Sequence, residues 1–227
     1  MLICCSSNTI KHMAILRDIE HSEQLEGIRA RESALRDRFI KEAKVTNFEK
    51  GYVSVKWVNQ LVDLGYQGFA ADLIAYRFRG YEFDKVVGIP NSGIPLATSV
   101  AERLGLPLAP GRKGKDIPGA WETPVIVKEK VKSFTTDDIS EFVFNGLEKG
   151  DRVLLVDDVI AHSTTASLII DVLRQEDIEI EMAVYFTKLF QHGVDKLRSN
   201  QNIDPFYVIG VSEMQSDKSV LLSPPRF

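Results

Sequence analysis

The sequence predicts an α/β protein with a central, mostly parallel sheet flanked by helices. Three observations carry this expectation. Short runs rich in Val, Leu and Ile alternate with longer segments of helical apolar spacing, as successive strand-helix units require. A strand-helix unit occurs twice, with a third strand after the second helix. KVVGI and VLLV read as buried strands.

In chain order, SEQLEGIRARESALRDRFIKEAK (22–44) sets Leu25, Ile28, Leu35, Phe39 and Ile40 at roughly helical spacing among charges. It predicts an amphipathic helix that packs on the main body or on a second subunit. Residues 1–45 are accordingly read as an N-terminal extension and 46–227 as the main domain. KVVGI (85–89) predicts a buried strand, and IPLATSVAERLG (94–105) a helix closed by glycine. The unit repeats as VLLV (153–156), TASLIIDVLRQ (165–175) and the next strand, IEMAVYF (180–186). Between the copies lie GRKGKDIPGAWETP and two strand-like segments, VIVKEKV and ISEFVF, that predict a hairpin. A Gly- and Lys-containing loop of that length is expected to be a functional flap.

Composition narrows the function classes. The 28 Lys and Arg against 32 Asp and Glu leave a net charge of −4, which lacks the basic field of a nucleic-acid binder. The two cysteines, Cys4 and Cys5, are adjacent, too close to staple a fold and without zinc-site spacing; they suit a reducing cytoplasm. Neither a signal-peptide apolar core nor a run of about 18 apolar residues occurs, so no membrane partner is expected. Met13 is a second candidate start.

The chemistry concentrates in GDRVLLVDDVIAHSTTA (150–166). Ligands of open α/β sheets bind beyond the carboxyl ends of the strands, where Asp157 and Asp158 are expected. Their carboxylates can accept hydrogen bonds from vicinal hydroxyls or hold a divalent cation through water. Ala161 to Thr165 lead into a helix whose free N–H groups favour a phosphate. Together these make a phosphorylated ribose site; a plain N-cap is the duller alternative. The chain has no GxxxxGK[ST] loop and no GxGxxG turn, which removes support for nucleotide hydrolysis and dinucleotide binding.

This stretch resembles the 5-phosphoribosyl-1-pyrophosphate (PRPP) signature of the type I phosphoribosyltransferases. VVGIPNSGIPLATSVAERLGLPL (86–108) is similar to the family's pyrophosphate-binding turn, with Ser92 and Gly93 at the turn, and GRKGKDIPG (111–119) to the mobile loop of its adenine-using members. SVKWVNQLVD (54–63) and FTKLFQHGVDKL (186–197) resemble the base-contacting segments of the xanthine group. The resemblance implies a type I phosphoribosyltransferase fold with a flexible flap and a small hood. It implies a transferase that joins a purine, xanthine- or guanine-like or adenine, to PRPP, with Mg2+ and as a homodimer. Asp157 and Asp158 would be catalytic, carrying Mg2+ at most through water. Ala161, His162, Ser163, Thr164 and Thr165 would bind the 5-phosphate; Ser92, Gly93, Arg112, Lys113 and Lys115 the pyrophosphate; Asn59 and Lys188 the base.

One residue departs from the pattern. The family generally has glycine where Ser163 stands, and a left-handed backbone there costs another residue about 1–2 kcal/mol. Two rivals therefore stay open: a regulatory protein of this fold that binds PRPP or a nucleotide without turnover, and an orotate-type transferase.

Overall fold

The structure is a computed structural model that describes residues 7–114, 125–132 and 137–227, with side chains from Ser22 onward except at 126, 128–132 and 137–140. In chain order it runs α1 (Ser7–Glu42), β1 (Lys44–Asn47), β2 (Tyr52–Ser54), α2 (Lys56–Asn59), α3 (Leu64–Phe78), β3 (Lys85–Gly88), α4 (Ile94–Leu104), β4 (Leu108–Pro110) and β5 (Arg112–Lys113). There follow β6 (Val125–Lys132), β7 (Asp137–Phe144), β8 (Arg152–Ile160), α5 (Thr164–Gln175), β9 (Glu179–Lys188), a 3-10 turn (Leu189–Gln191), α6 (Gly193–Gln201), β10 (Phe206–Met214) and β11 (Val220–Leu222).

The main sheet has the order β11-β10-β9-β8-β3-β4, parallel except for the antiparallel pair β10-β11. The central stretches of β3, β8, β9 and β10 are apolar because both faces are covered. Along β8, Leu154 and Val156 enter one core cluster with Leu73 of α3 and Leu96 of α4, whereas Val153 and Leu155 enter the other with Ile169 of α5. The expected hairpin forms between β6 and β7, and β5 adds to the β7 edge. β1 and β2 make a separate small hairpin.

Local chemistry explains the helix ends. Asp63 caps α3, its Oδ1 accepting from the backbone N of Gly65 at 3.1 Å and of Tyr66 at 3.3 Å. Gly105 closes α4 in the left-handed conformation at φ 67, as its place in the sequence predicts.

The N-terminal helix differs from expectation at both ends of its pattern. It starts at Ser7 rather than Ser22. Ile28, Leu35 and Phe39 are buried, but Ile40 is 53% exposed, because a residue next to Phe39 points about 100° away from the packed stripe. Phe39 meets Phe186 edge-on at 5.3 Å. Arg38 donates to Asp63 at 2.7 Å, and its guanidinium lies over Trp57 at 4.6 Å and Tyr66 at 4.3 Å. Glu32, 2% exposed, accepts from the backbone N of Arg226 at 2.5 Å and of Phe227 at 3.1 Å. Phe227 in turn packs on Tyr76 and Phe206.

Among the described residues no helix is long and apolar enough to cross a membrane.

Candidate functional site

β8 carries the acids where its apolar run ends, but the strand itself does not end there. The strand continues to Ile160 because β9 keeps pairing with it, Asp157 opposite Val184 and Ile160 opposite Thr187. On its other side β3 stops at Gly88, opposite Val156. Asp157 and Asp158 are therefore inside a strand by one neighbour and beyond a strand end by the other. The step between β3 and β8 opens the site.

The turn after β3 fills that step. The Pro90–Asn91 peptide is cis, and Gly93 lies flat against β8, where an added Cβ would stand 2.8 Å from Asp157 Oδ1 and 2.7 Å from the Ile89 carbonyl oxygen. Only glycine allows this approach. Gly111 makes a second close crossing, its N–H donating to the Gly88 carbonyl at 2.9 Å.

The two carboxyl groups differ. Asp158 is 4% exposed and accepts from Ser92 Oγ at 2.8 Å on Oδ1 and from Asn59 Nδ2 at 2.6 Å on Oδ2. Asp157 Oδ1 accepts from the Asp158 backbone N at 2.9 Å. Burial of the Asp157 carboxyl, and next the negative charge of Asp158, push it well above the usual carboxylate range. Asp157 still keeps a partial opening to solvent as a residue.

The loop after β8 enters α5 with Ser163 at φ 62 and ψ 10, the left-handed conformation that the family's glycine would supply at no cost. Ala161, His162, Ser163, Thr164 and Thr165 thus form the turn and first residues of α5, with the helix amides beneath. Gly193 backs the loop closely enough that a Cβ there would overlap the Ala161 carbonyl. Thr187 Oγ1 donates to the Ile160 carbonyl at 3.1 Å and fixes the loop's departure from the sheet.

Lys188, at the end of β9, is 9% exposed, and its Nζ donates to the Gly51 carbonyl at 3.1 Å. The ammonium also faces the Tyr52 ring at 5.8 Å. Burial lowers its pKa, and the charge of Asp158 opposes that shift. Gln191 Nε2 donates to the Lys50 carbonyl at 3.4 Å, so the end of β9 and the turn after it are tied to the β1-β2 hairpin.

The structure therefore gathers Asn59, Ser92, Gly93, Asp157 and Asp158, with Lys188 close enough to feel the charge of Asp158. Arg112 and Lys113 lie on β5, paired with β7, and the Lys113 ammonium lies over Phe142 at 5.4 Å. Lys115 lies outside the described residues, as does the rest of the flap through residue 124. Sequence reasoning missed Gly51, Tyr52, Thr187 and Gly193. Only the glycine of the EKGY turn hinted at a special position, and its charged neighbours read as ordinary surface.

A cavity of about 670 Å³ between α1, α3 and α4 shares none of these residues. Its Arg31 and Arg103 are already paired with Asp72.

Among the described residues no group of three or more His, Cys, Asp or Glu could hold a metal ion. The adjacent carboxylates of Asp157 and Asp158 are hard oxygen donors of the kind Mg2+ takes alongside waters and substrate phosphates. The donor set thus fits a Mg2+ that arrives with a phosphorylated substrate.

The chain is similar to known proteins in sequence and in fold. The model of the phosphoribosyl transferase domain matches residues 59–212. An adenine phosphoribosyltransferase of Geotalea uraniireducens is 27% identical over 154 residues, covering 67% of this chain and 87% of the relative. A xanthine phosphoribosyltransferase of Laribacter hongkongensis is 30% identical over 162 residues, covering 69% and 78%. Among solved structures, the adenine phosphoribosyl transferase of Trypanosoma brucei superposes with a TM-score of 0.64 at 18% identity over 85% of each chain. That of Rhodothermus marinus gives 0.62 at 22% identity, over 79% of this chain and 99% of its own.

Proposed function

Because this chain belongs to the phosphoribosyl transferase domain family, we propose that it is a purine phosphoribosyltransferase. It joins a free purine to the ribose of PRPP, giving a nucleoside 5-monophosphate and pyrophosphate. The observation that carries the reading is the acid pair Asp157 and Asp158, set between the Ser92–Gly93 turn and the loop that opens α5.

The C1–O bond to pyrophosphate breaks, a C1–N bond to the base forms, and the base loses its N–H proton. Positive charge develops at C1, and in this reading Asp157 and Asp158 orient the ribose hydroxyls and stabilise that charge. Ala161 to Thr165 hold the 5-phosphate over the helix amides. Ser92, Gly93, Arg112, Lys113 and Lys115 hold the pyrophosphate, the last three from a flap that closes to exclude water. Mg2+ carried by PRPP, held by Asp157 and Asp158 at most through water, would supply charge neutralisation to the leaving pyrophosphate.

Lys188 and Asn59 receive the base. An ammonium donates to an oxo group, so Lys188 favours a 6-oxopurine, xanthine or guanine. Adenine is the second reading, favoured by relatives named adenine phosphoribosyltransferase. The reading includes a homodimer, by analogy with the family, and a cytoplasmic setting that suits Cys4 and Cys5.

The test is incubation with PRPP, Mg2+ and each purine in turn, with assay of pyrophosphate. Turnover with one or more purines is expected, and Asp157→Asn should abolish it while the fold persists. No turnover with any base, beside an active control enzyme, refutes the reading. Binding of PRPP without product would then select the regulatory rival, and turnover with orotate alone the non-purine one.

A further inference from the structure

We propose that Asn59 is a positioning residue that acts through Asp158 and so couples the base pocket to the ribose-binding acid; this rests on the transferase reading above. Asn59 is the last residue of α2, and Asp158 lies 99 residues later on β8. Their side chains nonetheless meet at 2.6 Å. Ser92 holds the other carboxylate oxygen at 2.8 Å. A nearly buried carboxylate is thus gripped on both oxygens by two separate elements, and its direction is set in advance of any substrate.

The amide has capacity left. An asparagine side chain offers two N–H donors and a carbonyl acceptor. One N–H is committed to Asp158, leaving the second N–H and the carbonyl for a base. A rigid planar group therefore links the two subsites, and a shift of Asn59 on binding a base moves the grip on Asp158. The charge of Asp158 acts on Asp157 beside it on β8 and on Lys188 of β9. Asn59 adds a donor there without adding a charge. A carboxylate of the same shape would face Asp158 as a like charge.

A pure base contact and a positioning role differ in what happens when no base is bound. The experiment is a calorimetric titration with PRPP and Mg2+, base omitted, for the wild type, Asn59→Ala and Asn59→Asp, beside steady-state KM values for PRPP and base. Loss of a hydrogen bond to a buried carboxylate should weaken PRPP binding about tenfold in Asn59→Ala, and more in Asn59→Asp. Circular dichroism and thermal unfolding of each variant separate loss of the hydrogen bond from misfolding. Wild-type PRPP affinity in both variants, with only the KM for base raised, overturns the positioning role and leaves the transferase reading intact. A wild type that binds PRPP but turns over no base refutes the transferase reading, while the three affinities still decide on the grip. A wild type that does not bind PRPP overturns both.

Discussion

Ser163 enters α5 with φ 62 and ψ 10, so Ser163→Gly should relieve a strain that the serine side chain imposes. The strain is worth about 1–2 kcal/mol for a non-glycine residue. Glycine returns about 0.5–1 kcal/mol of it through its greater freedom in the unfolded chain. The net expectation is a gain of about 0.7 kcal/mol, or roughly 2 °C in Tm for a chain of this length. Thermal and urea unfolding of the ligand-free protein measure it directly. Ser163→Ala is the control, because it removes the hydroxyl but keeps the Cβ and should bring no gain. In the same variants, affinity for a nucleoside 5-monophosphate shows whether the loop's amides hold phosphate better when the strain is gone. Destabilisation by Ser163→Gly, or an equal gain in Ser163→Ala, would refute the idea that backbone strain is the cost of the missing glycine.

Two further outcomes follow from the same geometry. Gly93→Ala forces a Cβ to within 2.8 Å of Asp157 Oδ1 and 2.7 Å of the Ile89 carbonyl, and should cost about 1–3 kcal/mol of stability and on the order of a hundredfold in kcat/KM. Wild-type kinetics in that variant would show that the turn moves aside freely. For Lys188, burial holds the folded pKa below the ordinary 10.5, so between those values the unfolded chain keeps a proton that the folded one has lost. Stability should therefore rise with pH through that window, and urea unfolding of Lys188→Met should lack this contribution. An identical pH slope in both proteins would remove Lys188 as its source.

Several of these features are legible in the order of residues alone, and each for a physical reason. The apolar runs of β3, β8 and β9 announce doubly covered strands, and Gly105 marks the end of α4 at the correct residue. The acid pair stands out because carboxylates after VLLV have no role in a core. The extent of β8 is not legible, because charged side chains end an apolar pattern while backbone pairing with β9 carries on. Ile40 misleads because a helical stripe tolerates apolar outliers. The contact between Asn59 and Asp158 spans two distant elements that no local pattern relates. Gly51 offers only a backbone carbonyl to Lys188, and a carbonyl leaves no mark on residue type.

The hold of Glu32 on the last two backbone amides sets how the molecule can be divided. Helix α1 and the tail after residue 212 both fall outside the segment shared with the family, yet each completes the other. A piece trimmed to residues 59–212 would strip Phe39 from Phe186 and Phe227 from Phe206, uncovering aromatic surface on the core. The segment matched by the family and the packed body of this chain are therefore not the same stretch. Grafting, permuting or shortening it has to treat its two ends as one joint.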